Sequence, residues 1–303
     1  MSNNIGVSAP LPGSALEETP KHISESRRIL RVFFGRKLAV VGLIFISLLV
    51  FAAIFAPLLA PYPPDKMDLL NQLQQPSRSH LLGTDSTGRD TLSRVIYGSR
   101  TSLIIGFAAV TLSALIGESM GLAAAHFGGL VFAVIMRFTD ALMSIPMMLT
   151  ALVIAMLMGP GVRNVVVALA IGGIAGQCRV MCGMAMAIKQ NDYITAGRSL
   201  GSSNLRIMLR HILPNAFPPL LVLITMNLGM VILAEASLSF LGIGIVSPTA
   251  AWGSMINDGY KYLLTNPVLS FAPGVAIMLV VFGFNMMGDG LRDSLDPKLR
   301  GTL

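Results

Sequence analysis

The chain is 303 residues long, 53% hydrophobic and only 12% charged, with a mean hydropathy of +0.71. That is too little polar surface to cover one or two soluble domains, so the composition places the chain in lipid. Its net charge of +7 would suit nucleic acid, but the Lys and Arg residues fall between apolar runs and no aromatic-interleaved basic face is present, which argues against a nucleic-acid partner.

Residues 1–26, rich in Ser, Pro, Asn and Glu, lack apolar periodicity and read as a disordered part of a leader spanning 1–37. A membrane-crossing helix needs about 20 mostly apolar residues. Six runs meet that requirement, near 38–60, 102–125, 131–158, 164–187, 219–245 and 268–288. The first exceeds the apolar core of a cleaved signal and has no small-residue cleavage site after it, so it is expected to be a retained span. Between the second and third runs stand only His126, Phe127, Gly128 and Gly129, which predicts a tight helical hairpin. Pro146 interrupts the third run and predicts a kinked or broken helix.

Orientation follows from the basic residues. Lys21, Arg27, Arg28, Arg31, Arg36 and Lys37, then Arg179 through Arg210, then Arg292, Lys298 and Arg300 fall on one side, expected to be cytoplasmic. Lys66, Arg78, Arg89, Arg94 and Arg100 in the 61–101 segment run against the rule, yet six spans put both termini on the same side. The expected organisation is an all-α polytopic membrane protein. It has a cytoplasmic leader (1–37), a first span (38–60), an extracytoplasmic segment (61–101), a five-helix core (102–290) and a cytoplasmic tail (291–303).

The polar stretch 189–218, KQNDYITAGRSLGSSNLRIMLRHILPNAFP, stands between two apolar runs. Asp192 is expected to cap a short helix over Tyr193–Leu200, and Gly201 suits the left-handed residue that ends one. Ser202 or Ser203 then caps a second helix, with Leu205, Met208, Leu209 and Ile212 on one face, Arg206 and Arg210 on another, and Pro214 just past its end. Periodicity alone fits an amphipathic segment lying on anionic lipid equally well. A glycine hinge between two capped helices, placed between two spans, fits a lever instead.

This loop resembles the EAA coupling loop of binding-protein-dependent ABC importer permeases. Its His211–Asn215 stretch resembles the peptide-permease version in particular. Leu81–Leu103 (LLGTDSTGRDTLSRVIYGSRTSL), Glu235–Gly244 (EASLSFLGIG), Pro248–Gly253 (PTAAWG) and Phe284–Arg300 (FNMMGDGLRDSLDPKLR) resemble, in the same order, segments of the second permease subunit of dipeptide, oligopeptide and nickel importers. The resemblance covers nearly the whole chain after the leader. It implies a six-span permease of type I importer form in a bacterial inner membrane, paired with a second permease subunit. It further implies two ATP-binding subunits that consume ATP, an extracytoplasmic solute-binding protein, and a di- or oligopeptide substrate, with glutathione, nickel or a metal chelate as alternatives. The coupling contact would fall to Ala196, Gly197, Leu200, Gly201, Arg206, Arg210, His211 and Pro214. Two departures stand out: Thr195, Ala196 and Gly197 replace the usual Glu-Ala-Ala, and Ile174 and Gln177 replace aromatic residues before Arg179.

The chain has no G-x-x-x-x-G-K-[ST] and no Gly-Lys pair, so it lacks the usual phosphate cradle and reads as a transport subunit, not an enzyme, with no cofactor of its own. Charges inside spans are functional candidates by default. Arg137 and Asp140 are one turn apart and read most simply as a local ion pair. Glu118, Asp140 and Glu235 are candidates for lining a water-filled path, and for the two glutamates a hydrogen bond to a neighbouring helix is the competing reading. Cys178 and Cys182 share a helix face near several methionines, but no His joins them, and close packing explains them better than metal binding. No H-E-x-x-H supports a metal hydrolase, an intramembrane enzyme built on Asp140 or Glu235 lacks a second catalytic group, and Trp252 is expected to anchor at the membrane interface. The reading outside the ABC class is an ATP-independent channel or secondary transporter, with the loop lying on lipid.

Overall fold

The structure, a computed structural model, describes residues 25–295. Lys298, Arg300 and most of the leader therefore lie outside the described residues. Helices make up the fold: α1 (Glu25–Gly35), α2 (Lys37–Ile54), α3 (Ala56–Leu59), α4 (Thr91–Phe127), α5 (Gly129–Met143), α6 (Met147–Met158), α7 (Val162–Lys189), α8 (Asp192–Ser199), α9 (Asn204–Ile207), α10 (Leu213–Phe240), α11 (Trp252–Tyr260) and α12 (Val268–Leu295). Part of the leader is thus ordered: α1 packs on α12, with Phe33 buried and Arg36 bridging to Asp293 at 3.1 Å.

Five helices are long and apolar enough to cross a membrane, and a sixth span arises if α5 and α6, bent by 84° at their break, count as one. The break is at Ser144–Pro146, where proline cannot donate the next helical hydrogen bond. The α4–α5 connection is the tight hairpin expected at Gly128 and Gly129, both with positive φ.

Two helix boundaries differ from the apolar runs. Helix α4 starts at Thr91, not near 102, because Asp90 caps it by accepting from the Ser93 N–H and because its polar first turns are buried by protein. Pro214 does not end a helix. A π turn over Met208–Ile212 joins α9 to α10, and Asn204–Phe240 runs as one span-length unit. The wider turn accommodates a proline in the first turn of α10, while the Asn215 amide donates to the His211 carbonyl at 2.6 Å.

The largest helix contact is α4 against α7, and α10, α12 and α2 complete the bundle. One apolar core joins α4, α10, α11 and α12 around Ile105, Ile232, Trp252, Val280 and Phe284. A second, under the 189–218 segment, gathers Leu122, Ala125, Met181, Ala185, Ile194, Ile207, Ile212 and Leu220. Trp252 belongs to the first core instead of anchoring at an interface: it is fully buried, its ring lies against Gly98, and its Nε1 donates to the Val95 carbonyl at 2.9 Å.

Candidate functional site

Segment 189–218 forms two short helices hinged at glycine. Helix α8 begins at Asp192, with Asn191 in the cap position. It ends in two bonds typical of a left-handed stop, Gly201 N–H to the Arg198 carbonyl at 2.9 Å and Ser202 N–H to the Gly197 carbonyl at 3.1 Å. Gly201 has φ +79, the conformation that favours glycine. Ser203 caps α9 by accepting from the Arg206 N–H.

The buried face of this element differs from the one that helical periodicity predicts. Ile194, Ile207 and Ile212 are buried, whereas Leu200 is 87% exposed, Leu205 64% and Leu209 50%. The π turn is the reason: it puts Ile207 and Ile212, five apart, on one side and turns Leu205 and Leu209 outward. The outer surface is therefore mixed, with Leu200, Leu205 and Leu209 beside the exposed Arg198, Arg206 and Arg210. Ala196 and Pro214 are also exposed, Gly197 and His211 are partly covered, and Tyr193 and His211 place their ring centroids 6.5 Å apart.

Gly197–Gly201 also has the G-x-S-x-G spacing of a hydrolase serine. Ser199 instead lies inside α8 with its hydroxyl donating to the Thr195 carbonyl, and the element directly before α8 is helix α7, so the strand-to-helix elbow that exposes such a nucleophile is not formed here.

Polar contacts missed in the sequence fix this element to the spans. Lys189 Nζ donates to the carbonyls of Ala125 at 3.0 Å and His126 at 2.8 Å, covering the C-terminal end of α4. His126 Nε2 meets Asn204 Oδ1 at 3.0 Å, linking the same end of α4 to the start of α9. A lysine ending one apolar run and a histidine ending another were the available signals, but their pairing is tertiary.

The intramembrane charges separate in the structure. Glu235 is completely enclosed, accepting from Ser102 at 3.0 Å and Ser239 at 2.8 Å, which favours its hydrogen-bonding role between α4 and α10 over an open path-lining one. Glu118 is partly buried, and its Oε1 has no partner among the described residues. Asp140 pairs with Arg179 of α7, not with Arg137. Helix α5 packs beside α7, and a base preceding an acid is the weaker order for a pair along one helix. Both members of the pair are about half exposed.

One turn from that pair, at the α5–α6 bend, is a cavity of about 280 Å³. Gln177, Asn227 and Ser113 bring polar groups to a wall of small and apolar residues that includes Gly172, Gly176, Met143, Pro146 and Met230. The break at Pro146 could be read from sequence, whereas the amides from α7 and α10 could not be grouped without the fold.

The Leu81–Leu103 motif builds a separate buried cap. Asp85 accepts from the Thr87 N–H and hydroxyl, each at 2.8 Å, from the Arg89 N–H at 3.0 Å and from Arg89 Nε at 2.7 Å. Arg89 reaches the Ser247 hydroxyl at 2.7 Å and Asp258 at 3.8 Å, and Arg94 donates to the carbonyls of Pro64 and Pro248, each at 3.2 Å. His80 meets the capping Asp90 at 2.8 Å. The cap thus joins the loop before α4 to the loop between α10 and α11.

This bundle, with its hinged basic element between α7 and α10, has the form of an importer's membrane subunit. Residues 113–301 match the family described as binding-protein-dependent transport system inner membrane component, and residues 24–76 match the N-terminal TM domain of oligopeptide transport permease C. The chain is 39% identical over 278 residues to the dipeptide transport system permease protein DppC of Alkalihalophilus pseudofirmus, covering 92% of this chain and 91% of that one. It is 38% identical to the oligopeptide transport system permease protein OppC of Bacillus subtilis, covering 98% of both. It is 40% identical to the glutathione transport system permease protein GsiD of Pectobacterium atrosepticum, covering 90% of this chain and 91% of that one. In fold it is similar to a solved structure of the MetNI methionine ABC transporter in inward-facing conformation, with a TM-score of 0.55 and 20% identity over 67% of this chain and 97% of that one. The chain belongs to the family of binding-protein-dependent transport system inner membrane components, and is a multi-pass ABC importer permease subunit of the inner membrane.

Proposed function

We propose that this chain forms one half of a heterodimeric permease for peptide-class substrates and takes its driving motion from two ATP-binding subunits through segment 189–218. A solute-binding protein delivers substrate on the extracytoplasmic side, both termini and the coupling element are cytoplasmic, and ATP is consumed by the partner subunits alone. The relatives named for dipeptide, oligopeptide and glutathione transport support the substrate class.

The observation that carries the coupling role is the element's two-sided construction. Its isoleucine side is seated on the ends of α4 and α7, and its outer side mixes exposed leucines with arginines. A helix adsorbed to lipid would turn a continuous apolar face outward, whereas a mixed apolar and basic surface suits a protein partner. Ala196, Gly197, Leu200, Gly201, Arg206, Arg210, His211 and Pro214 form or shape this contact. Thrust on it passes through Lys189 and His126 to α4 as well as directly to α7 and α10, rocking the spans that flank the cavity.

Gly201→Glu tests the lever. The position has open space around a new Cβ, so the substitution's folding cost is confined to the positive φ, about 1–3 kcal/mol, and its remaining effect is to put a bulky acid on the basic surface that a partner would meet. Expected are normal membrane insertion, loss of substrate-stimulated ATP hydrolysis by the whole complex, and loss of uptake. Uptake at the wild-type rate would sink the lever.

A further inference from the structure

We infer that Asp140 and Arg179 form a displaceable ionic floor beneath the cavity, which opens by exchanging partners with the ammonium and carboxylate ends of a zwitterionic substrate. The inference rests on the reading of the chain as half of a peptide permease and adds the residues that recognise the substrate's ends.

On α7 the cavity residues Gly172, Gly173, Gly176 and Gln177 come first, Arg179 follows one turn after Gly176, and Lys189 and the coupling element come later. On α5, Asp140 is one turn before the cavity residue Met143. The pair therefore stands between the cavity and the coupling-element end of the bundle, where a substrate leaving the cavity in that direction must pass.

The side chains of Arg179 and Asp140 are 51% and 48% exposed, although both lie within span-forming helices. Charges at membrane depth face water-filled space or other protein, since lipid solvates neither. The same face of α7 carries Gly176 and Gly183, where an added Cβ would meet nothing within 4 Å. The α7 wall is thus open beside the pair and runs through Gly176 and Gly172 into the cavity, which Gln177 and Asn227 line with amides.

Charge supplies the selectivity. The pair is half exposed at rest, but a substrate filling the passage displaces the water beside it, and separating the two charges then leaves each uncompensated unless it finds a new partner. A peptide with free ends supplies both partners at once, its carboxylate to Arg179 and its ammonium to Asp140. An end-blocked peptide supplies neither, so the closed floor opposes its passage.

The test uses the complete transporter, with second permease, ATP-binding subunits and binding protein, reconstituted in vesicles. ATP-driven uptake of radiolabelled trialanine is compared with that of N-acetyl-trialanine-amide, each at a concentration that saturates the binding protein. The wild type is expected to prefer the free-ended peptide by about tenfold. D140N/R179Q should bring the two rates to within about twofold by admitting the blocked peptide, and the charge-reversed D140R/R179D should retain the preference. Equal rates in the wild type, or a wild-type ratio in D140N/R179Q, would overturn the inference while leaving the peptide permease standing. Loss of the second permease from purified D140N/R179Q would assign the pair to the subunit interface and overturn it as well. Uptake of neither peptide by the wild type would remove the peptide reading itself.

Discussion

Gly121→Val is expected to prevent α4 and α7 from closing on each other, and most of the protein should then be lost as aggregate or degraded chain. A Cβ at Gly121 would stand 2.3 Å from the Cys178 carbonyl oxygen, 2.9 Å from the Cys182 nitrogen and 3.0 Å from the Met181 Cβ. One turn earlier, a Cβ at Gly117 would stand 2.6 Å from the Ile174 carbonyl oxygen and 2.7 Å from the Gln177 Cβ. The obstruction is largely backbone, which cannot swing aside like a side-chain tip. The two helices therefore meet across a small-x-x-x-small face, the means by which membrane helices approach closely when lipid offers no hydrophobic drive. Overpacking in a tight core costs about 1–3 kcal/mol, and a contact with backbone lies at or beyond the upper end of that range. Gly274→Ala in α12 is the control, because its Cβ meets nothing within 4 Å, and it should change stability by no more than about 1 kcal/mol. Yield of monodisperse protein in mild detergent, followed by thermal unfolding, reads both variants. A wild-type melting temperature for Gly121→Val would refute the close approach of α4 and α7.

The parts of the molecule that follow one chemical rule were legible in the sequence. Apolar length gives the spans, Pro146 the broken one, Gly128 and Gly129 the hairpin, and Gly201 the stop between two short helices. What could not be read depends on contacts between distant segments. Hydropathy places the start of α4 near residue 102, because it treats Arg94 and Ser99 as solvent-facing when both are buried against protein. Periodicity turns Leu205 and Leu209 inward, because it assumes a uniform helix and cannot see the π turn. Arg137 is the nearest base to Asp140 along the chain, yet Arg179 is the one that reaches it across the α5–α7 contact. Trp252 resembles an interfacial anchor until Gly98, on another helix, makes room for its ring. The 189–218 element is visible in the sequence as a pattern of two short helices about Gly201, whereas its seat through Lys189, His126 and Asn204 and the polar groups of the cavity exist only once the helices are assembled.

Asp85→Ala is expected to loosen the cap that joins the 61–90 loop to the loop between α10 and α11. Arg89 and Arg94 are each only 1% exposed, and Asp85 faces both, at 2.7 Å from Arg89 Nε and 3.6 Å from Arg94 Nε. Removing the shared carboxylate leaves two buried guanidinium groups short of charge compensation, a loss of about 3–5 kcal/mol for a broken buried pair. Asp85→Asn keeps the shape and should cost less, which separates charge from packing. The same carboxylate predicts a pH dependence. Burial works to raise the Asp85 pKa, but the Arg89 N–H, the Thr87 hydroxyl, the Arg89 charge and the Thr87 N–H together hold it below the ordinary 3.8. Because the folded value lies below the unfolded one, its stabilisation is fully present above pH 3.8 and is lost as pH falls through the folded value. Asp258 acts in the opposite direction, since burial pushes its pKa up against the pull of Arg89 and Arg94, so it gains stability as the medium is acidified. Thermal unfolding of detergent-solubilised protein between neutral and strongly acidic pH, in an Asp258→Asn background, therefore isolates the Asp85 contribution. The acid-dependent loss should be larger in that background than when Asp85→Asn is added; an equal loss in both would mean that the cap is not held by this charge.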